Sequence, residues 1–218
     1  PLMEVGDVIG AAFLATDGQA NPADITQALA KGAKMHGVKI NENTAVTGIR
    51  LEDSGKAAEK KVAAVQTEHG EILCETAVNC AGQWANELGK MAGVTVPLIS
   101  VEHQYLITEP IKGVAPDLPT LRDPDKLTYW KEDVGGLVMG GYEPNPIGWA
   151  VDGIPQDFVF QLLPENFEHF EQLMQPAVER VPALENAGIR KFINGPESFT
   201  PDGNFILGEA PEVKNFFV

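Results

Sequence analysis

One short segment limits the fold more than any other: an apolar run that ends in small residues and leads directly into a helix pattern. The run is Thr76–Gly82, and the helix pattern covers Trp84–Ala92. Small residues at a strand end let the main chain approach a ligand closely, although a tight strand-to-helix turn explains them equally well. With a helix and a short β-meander upstream, the pattern is typical of nucleotide-binding α/β domains and not of a β-sandwich.

The upstream elements carry clear boundary signals. Asn21 and Pro22 are typical of a helix N-cap and first helical position, and Gly37 is a typical C-terminal cap. The pattern therefore predicts an amphipathic helix of about four turns. Alternating and apolar runs after it predict a strand at Thr44–Leu51 and a hairpin formed by Val62–Thr67 and Ile72–Cys74.

After Pro97 the pattern changes to short strands separated by Pro, Asp and Gly, which predicts an antiparallel sheet. A helix is predicted over Glu165–Val181, with a kink or a break at Pro176. The remaining predicted strands are Val8–Leu14, Ser100–Thr108, Thr120–Arg122, Leu127–Lys131, Gly136–Tyr142, Ile189–Ile193 and one that follows the turn within Phe199–Gly208.

Charge and composition exclude several functional classes. The formal net charge of −15 argues against nucleic acid or an anionic membrane as partner, because both need a basic face. No apolar run is long enough for a transmembrane helix, and no basic start precedes an apolar stretch as in a signal peptide. The two cysteines, Cys74 and Cys80, are then expected as reduced thiols in a cytoplasm-like compartment.

The usual sequence motifs of catalysis are missing. There is no G-x-G-x-x-G, no Walker-type phosphate loop and no G-x-S-x-G. The four histidines lie far apart and show no metal-ligand spacing, so no metal site is predicted. Cys80 has no base beside it and is expected as a small buried side chain. His169 is expected on the surface of its helix.

Two strand residues remain as candidates for chemistry. Alternation places His103 on one strand face together with Val101 and Tyr105. An imidazole can bind a carboxylate or move a proton at neutral pH, and the Tyr129 hydroxyl can donate a hydrogen bond to a substrate. From spacing alone, a structural histidine and a core aromatic explain these residues at least as well.

Several segments together resemble a known family. AVNCAGQWANELG, VPLISVEHQYLITEP, VGGLVMGGYEPNP and INGPESFTPDGNFILGEAP occur in this order along the chain. The chain resembles the FAD-dependent amine oxidoreductases of the D-amino-acid-oxidase-like superfamily, in particular the dimethylglycine and sarcosine dehydrogenase branch. The resemblance extends over nearly the whole sequence.

The resemblance implies an α/β (α+β) fold made of two parts. One is part of a Rossmann-like FAD-binding domain without its N-terminal dinucleotide-binding βαβ unit, and the other is a substrate domain with an antiparallel sheet. The expected division has a strand in residues 1–20 joining the substrate domain and a partial FAD-binding domain in 21–98. The substrate domain then covers 99–193, and 194–218 returns toward the FAD-binding domain.

The resemblance also assigns site residues. His103 matches the active-site histidine that orients the amine substrate and sets its protonation, and Tyr129 matches a tyrosine that faces flavin and substrate. The main chain of Val46 matches the position that meets the adenine end of FAD. The residues implied beside the cofactor are Val46, Ala81, Gly82, Trp84 and Tyr129.

The implied activity is oxidative demethylation of an N-methyl amino acid by hydride transfer to FAD, with tetrahydrofolate as a further one-carbon acceptor in longer members. Because the phosphate-binding fingerprint is missing, this chain alone is expected to bind FAD weakly or not at all and to be inactive. Self-association through exposed strand edges is expected as well. The location is expected to be cytoplasmic, or the mitochondrial matrix in a eukaryote. The alternative is a non-catalytic relative, such as a pyruvate dehydrogenase phosphatase regulatory subunit, that binds a protein.

Overall fold

The computed structural model describes residues 2–56 and 58–218. Pro1 and Ala57 lie outside the described residues, and so does the first position of the predicted segment 1–20. The helices are α1 (Pro22–Met35), α2 (Ala85–Met91) and α3 (Phe167–Arg180). The strands are β1 (Val46–Asp53), β2 (Lys60–Thr67), β3 (Gly70–Leu73), β4 (Ala77–Val78), β5 (Ile99–Thr108), β6 (Leu121–Asp123), β7 (Thr128–Asp133), β8 (Gly136–Gly141), β9 (Gly148–Trp149), β10 (Ile189–Phe199), β11 (Val213–Lys214) and β12 (Phe216–Phe217).

The chain divides into two compact units. The first comprises the residues up to Leu29, Glu102–Ile147 and Phe160–Pro196, and the second comprises Ala30–Val101, Gly148–Val159 and Glu197–Val218. Antiparallel sheets and helices occur together, which confirms the predicted mixed α/β class.

The first unit is built on an antiparallel sheet with strand order β10-β5-β8-β7-β6. Helix α3 packs on one face of this sheet. Strand alternation sends every second side chain toward the helix, and these residues form a buried apolar core. The core consists of Leu106, Trp130, Leu137, Met139, Phe170, Leu173, Ala177, Val181, Leu184 and Phe192.

The second unit contains a hairpin sheet and a short parallel pair. Strands β1, β2 and β3 form the antiparallel meander, and β11 pairs with β2 in parallel. Strand β12 pairs in parallel with β4. Helix α2 covers a second apolar core in which Phe216 is fully buried and Val62, Val94 and Val96 are nearly so.

The helix boundaries follow the sequence signals. The Asn21 side-chain oxygen accepts hydrogen bonds from the main-chain N–H groups of Ala23 (2.9 Å) and Asp24 (3.3 Å), as an N-cap does. Gly37 has φ = 84°, the left-handed conformation of a C-terminal cap. Pro176 neither splits α3 nor ends it, since the helix is continuous through Arg180.

Two predicted strands are wrong. The segment Val8–Leu14 has no strand in the structure, and Ile9 and Phe13 are largely exposed. No strand follows the turn in Phe199–Gly208 either, and instead β10 continues as far as Phe199. A segment with an apolar pattern forms a strand only where a partner strand completes its ladder of hydrogen bonds. The described residues provide no such partner for Val8–Leu14. The second segment has only an isolated contact at its end, where Gly208 and Val218 exchange two main-chain hydrogen bonds.

Candidate functional site

The candidate site lies on the face of the first unit's sheet opposite α3. In β5, Gln104, Leu106 and Thr108 are buried on the helix side, whereas His103 and Tyr105 on the opposite face are only half-buried. In β7 the same alternation buries Trp130 and leaves Tyr129 half-buried. The pleat of the strands therefore places the polar aromatic side chains where a ligand can reach them.

The structure brings His103 and Tyr129 together although they are 26 residues apart in the chain. The Nε2 atom of His103 lies 3.2 Å from the Tyr129 hydroxyl, within hydrogen-bonding distance. Their ring centroids are 6.1 Å apart, with an angle of 25° between the planes. A histidine hydrogen-bonded to a phenol can accept or donate a proton through a defined atom, which is what acid–base work requires.

Tyr142 and Arg122 extend this group. The Tyr142 ring stacks on His103 with centroids 4.9 Å apart, and it lies 5.9 Å from the Tyr129 ring. The Arg122 guanidinium carbon lies 5.3 Å from the Tyr142 ring centroid, in the range of a cation–π contact. We call His103, Tyr129, Tyr142 and Arg122 the aromatic cluster.

The backbone register explains why these side chains meet. Tyr129 is paired with Arg122 of β6 on one side and with Gly140 of β8 on the other, and Gly140 is paired in turn with Tyr105 of β5. Directly paired residues project to the same sheet face. Burial raises the pKa of Tyr105, and the negative charge of Asp133 adds to this effect, so this phenol stays protonated at neutral pH.

The other predicted cofactor residues lie in the second unit. Val46 begins β1 and, like Ala81, packs against the second apolar core. Gly82 and Trp84 form the ends of a short 3₁₀ turn, and Trp84 is 43% exposed. Whether these side chains contact a cofactor remains a prediction.

A cavity of about 340 Å³ lies beside that turn. Gly82, Asn79, Ser198 and Thr200 are among the residues that line it. Gly82 has φ = 55°, and a Cβ built on it would meet no atom within 4 Å, so the main chain is open on this side. The position therefore combines the conformation and the space that a closely approaching ligand requires.

Asn79 was not singled out by the sequence, yet it holds this turn. Its side-chain NH₂ donates to the main-chain oxygen of Ala85 (2.8 Å), and its side-chain oxygen accepts from the N–H of Ala81 (3.2 Å). The side chain is buried and joins the end of β4 to the start of α2. An Asn between a strand and a glycine turn is the only signal for this role in the sequence.

Comparison with known proteins identifies the family. The model of the family described as DAO, FAD dependent oxidoreductase, matches residues 1–218. The chain belongs to this family. This confirms the family that the resemblance predicted.

Individual relatives agree with this assignment. Mitochondrial sarcosine dehydrogenase of Mus musculus is 43% identical over 218 residues, which are 100% of this chain and 23% of that protein. The mitochondrial pyruvate dehydrogenase phosphatase regulatory subunit of Mus musculus is 38% identical over 221 residues, 100% of this chain and 24% of that protein. The chain therefore spans about a quarter of the length of these curated relatives.

The fold agrees with a solved structure as well. The crystal structure of L-proline dehydrogenase from P. horikoshii superposes with a TM-score of 0.78 at 29% identity. The match covers 100% of this chain and 54% of that one. The arrangement of sheets and helices described above is thus that of a DAO-family oxidoreductase.

The second unit fits part of the family's cofactor, FAD. The cavity beside Gly82 is near the lower end of the roughly 300–1,000 Å³ of small-molecule pockets, so it has room for one portion of a dinucleotide and not for all of it. A pyrophosphate is usually held by a glycine-rich loop at a helix N-terminus, and the sequence contains no such fingerprint. The residues present therefore fit a partial flavin shell.

Among the residues described, no helix is both long and apolar enough to cross a bilayer. Within residues 2–56 and 58–218, no group of three or more His, Cys, Asp or Glu side chains is placed to hold a metal ion. His169, expected on the surface, is instead mostly buried, and its Nε2 lies 3.2 Å from the Glu143 carboxylate.

Proposed function

We propose that this chain supplies the substrate-facing sheet and part of the flavin shell of an oxidoreductase that demethylates an N-methyl amino acid, with sarcosine or dimethylglycine as substrate. The observation that carries the proposal is the His103–Tyr129 pair on the half-exposed sheet face. The 43% identity to a sarcosine dehydrogenase supports the substrate class.

In this proposal the protein accepts a proton from the substrate amine and orients the groups that react. A substrate amine is protonated at neutral pH and must lose that proton before its C–H bond can be oxidised. His103 accepts this proton, and the hydrogen bond between its Nε2 and the Tyr129 hydroxyl, 3.2 Å away, fixes the direction of the imidazole. Bound FAD would supply the two-electron oxidation, and the protein the positioning. The iminium product then hydrolyses to formaldehyde and the demethylated amino acid.

We infer that the partner is this small-molecule amine and neither nucleic acid nor membrane, in keeping with the net charge of −15. We place the protein in the cytoplasm or, in a eukaryote, in the mitochondrial matrix, the latter supported by the mitochondrial names of relatives. Transfer of the one-carbon unit to tetrahydrofolate stays a prediction, and we assign no residue of this chain to it.

A second candidate function is non-catalytic. The identity of 38% to a phosphatase regulatory subunit favours a scaffold that acts by binding another protein. The two functions differ in one respect that can be measured, namely whether an N-methyl amino acid reduces a bound flavin.

The decisive experiment is a flavin titration followed by absorbance and fluorescence, with sarcosine and dimethylglycine added afterwards. For the 218-residue chain we expect weak or absent FAD binding and no bleaching, since the pyrophosphate lacks its usual loop. For a longer protein that contains the chain, we expect bleaching by one of the two amines. Tight binding and bleaching in the short chain would show that it holds a complete site.

Variants of the longer protein then test the assigned site, and the unmodified longer protein separates the two candidate functions. His103→Ala should slow bleaching by about 10²–10⁴-fold, because it removes the proton acceptor. Tyr129→Phe should slow it by a smaller factor, because it removes only the hydrogen-bond partner of that acceptor. Unchanged bleaching rates in both variants would reject the assigned site. No bleaching by either amine in the unmodified longer protein would favour the regulatory candidate.

A further inference from the structure

The Tyr129 side chain lies directly across Gly140. A Cβ built on Gly140 would be 2.3 Å from the Tyr129 hydroxyl oxygen, 2.5 Å from its Cζ and 2.9 Å from the Cβ of Tyr105. These separations are far shorter than carbon–carbon and carbon–oxygen contacts allow. Gly140 is not in the left-handed region of φ, so space and not conformation requires glycine here.

This crossing decides whether the aromatic cluster can form. Tyr129 is on β7 and His103 is on β5, and β8 runs between these two strands. Neighbouring strands are about 4.8 Å apart, so the Tyr129 hydroxyl must pass over β8 to come within reach of His103. It does so at Gly140, the residue paired with Tyr129 on one side and with Tyr105 on the other.

We propose that Gly140 is a positioning residue of the site: its missing side chain is the gap through which Tyr129 reaches Nε2 of His103. The chemical meaning of the contact rests on the proposed function, but the contact itself does not. Gly140 acts through Tyr129 and touches neither substrate nor cofactor in this role.

The neighbouring glycine provides a matched control. A Cβ on Gly141 would lie 2.4 Å from the main-chain oxygen of Leu127 and 2.8 Å from a methyl carbon of Leu173, on the buried side of the sheet. Leu127 oxygen belongs to the backbone and cannot move alone, whereas the Tyr129 hydroxyl is the free end of a rotatable side chain. Gly141→Ala should therefore lower stability, and Gly140→Ala should displace Tyr129.

The test is NMR of the 218-residue chain with ¹⁵N-labelled histidine, in which His103 is assigned by its loss in His103→Gln. The chain has four histidines, so the other three serve as internal references. We expect Tyr129→Phe and Gly140→Ala to shift the His103 Nε2 resonance in the same direction. Gly141→Ala should lower the melting temperature and leave the His103 signal in place.

An unchanged His103 signal in Gly140→Ala would overturn the proposal, and so would an equal change in Gly141→Ala. If Gly140→Ala does not fold, the double variant Gly140→Ala/Tyr129→Ala removes the clash with Tyr129 and leaves the 2.9 Å contact with the Cβ of Tyr105. Recovery of the fold with the His103 signature of Tyr129→Ala supports the proposal. Continued unfolding rejects it, because it would show that Tyr105 and not Tyr129 requires glycine at this position.

Neither flavin nor amine is needed for this measurement. The positioning role of Gly140 can therefore stand even if the longer protein shows no demethylation. Conversely, the proposed function fails separately if Gly140→Ala shifts His103 in the longer protein but leaves its bleaching rate unaltered.

Discussion

Arg180, in the last turn of α3, connects three parts of the first unit. Its guanidinium donates to the carboxylates of Asp123 (2.7 Å) and Asp7 (2.8 and 3.0 Å) and to the main-chain oxygen of Glu4. The hydrogen bonds that Arg180 donates to Asp7 and Asp123 raise its pKa, so it is charged throughout the range in which proteins fold. The planar guanidinium suits this arrangement because it can donate to two carboxylates at once.

The contact between Arg180 and Asp7 predicts how the stability of the folded state depends on pH. The hydrogen bond from Arg180 lowers the pKa of Asp7 below its unfolded value. A lowered carboxyl pKa stabilises the folded state fully above the unfolded pKa of about 3.9, and this stabilisation disappears as the pH falls through the lower folded value. Asp7→Asn should thus be less stable than the unmodified chain at pH 6, and the two should converge toward pH 2.

Urea unfolding at pH 6 and at the lowest pH at which the chain still folds measures this difference. Asp152→Asn, on an exposed loop, removes the same charge and is the control. If Asp152→Asn reproduces the pH dependence of Asp7→Asn, net charge and not the Arg180 contact is responsible.

The N-terminus of helix α3 is held by a network of polar side chains that the sequence pattern did not predict. The Asn166 side-chain oxygen caps the helix by accepting from the N–H of His169 (3.1 Å), and the Asn166 N–H donates to Gln104 (3.0 Å). Glu102 accepts from the NH₂ group of Asn194 at 2.9 Å. These contacts join β5, β10 and α3, and they satisfy much of the polarity that burial would otherwise penalise.

The Asn166 cap predicts how substitutions at the N-terminus of α3 change the free energy of unfolding. Asn166→Ala should lower the free energy of unfolding by about 1 kcal/mol, because it leaves a main-chain N–H of the first turn without its acceptor. Asn166→Ser keeps a capping oxygen and should lose a few tenths of that. Denaturant unfolding of the two variants compares them, and equal losses would mean that the cap contributes nothing of its own.

The face of a strand on which a residue lies could be predicted from the sequence, whereas the strand that pairs with it could not. Alternation in β5 correctly separated His103 and Tyr105 from Leu106, because the face of a residue depends only on its own strand. The register that pairs Tyr129 with Gly140 depends on two strands at once, so the aromatic cluster was not predictable from spacing. The wrong strand at Val8–Leu14 has the same cause, since its pattern holds no information about a partner.

The candidate site was predictable only in part for a similar reason. His103 and Tyr129 were found through the family resemblance, and the structure adds their hydrogen bond. Arg122 and Tyr142 were missed, since neither stands out on its own strand. They matter through cross-strand contacts that form only in the folded sheet.

The whole molecule exposes apolar surface and strand edges while it carries a large negative charge. Ile9, Phe160, Phe205 and Leu207 are each more than four-fifths exposed. Within the described residues, β4 pairs only with β12, and parallel strands are rarely stable as an isolated pair. Such edges and patches favour association between copies, whereas the charge of −15 opposes it.

The balance predicts self-association that increases with salt. At about 0.01 M salt the Debye length is about 30 Å and copies repel one another, whereas at about 1 M it is about 3 Å and the apolar contacts prevail. The weight-average mass in sedimentation equilibrium should therefore increase with ionic strength at constant protein concentration. Val78→Lys places a charge on the exposed edge of β4, where Val78 is 63% exposed, and should weaken the association. Gln27→Lys, on the exposed surface of α1, changes the net charge equally and should not. If both variants weaken it to the same extent, charge alone controls the association and the β4 edge plays no part.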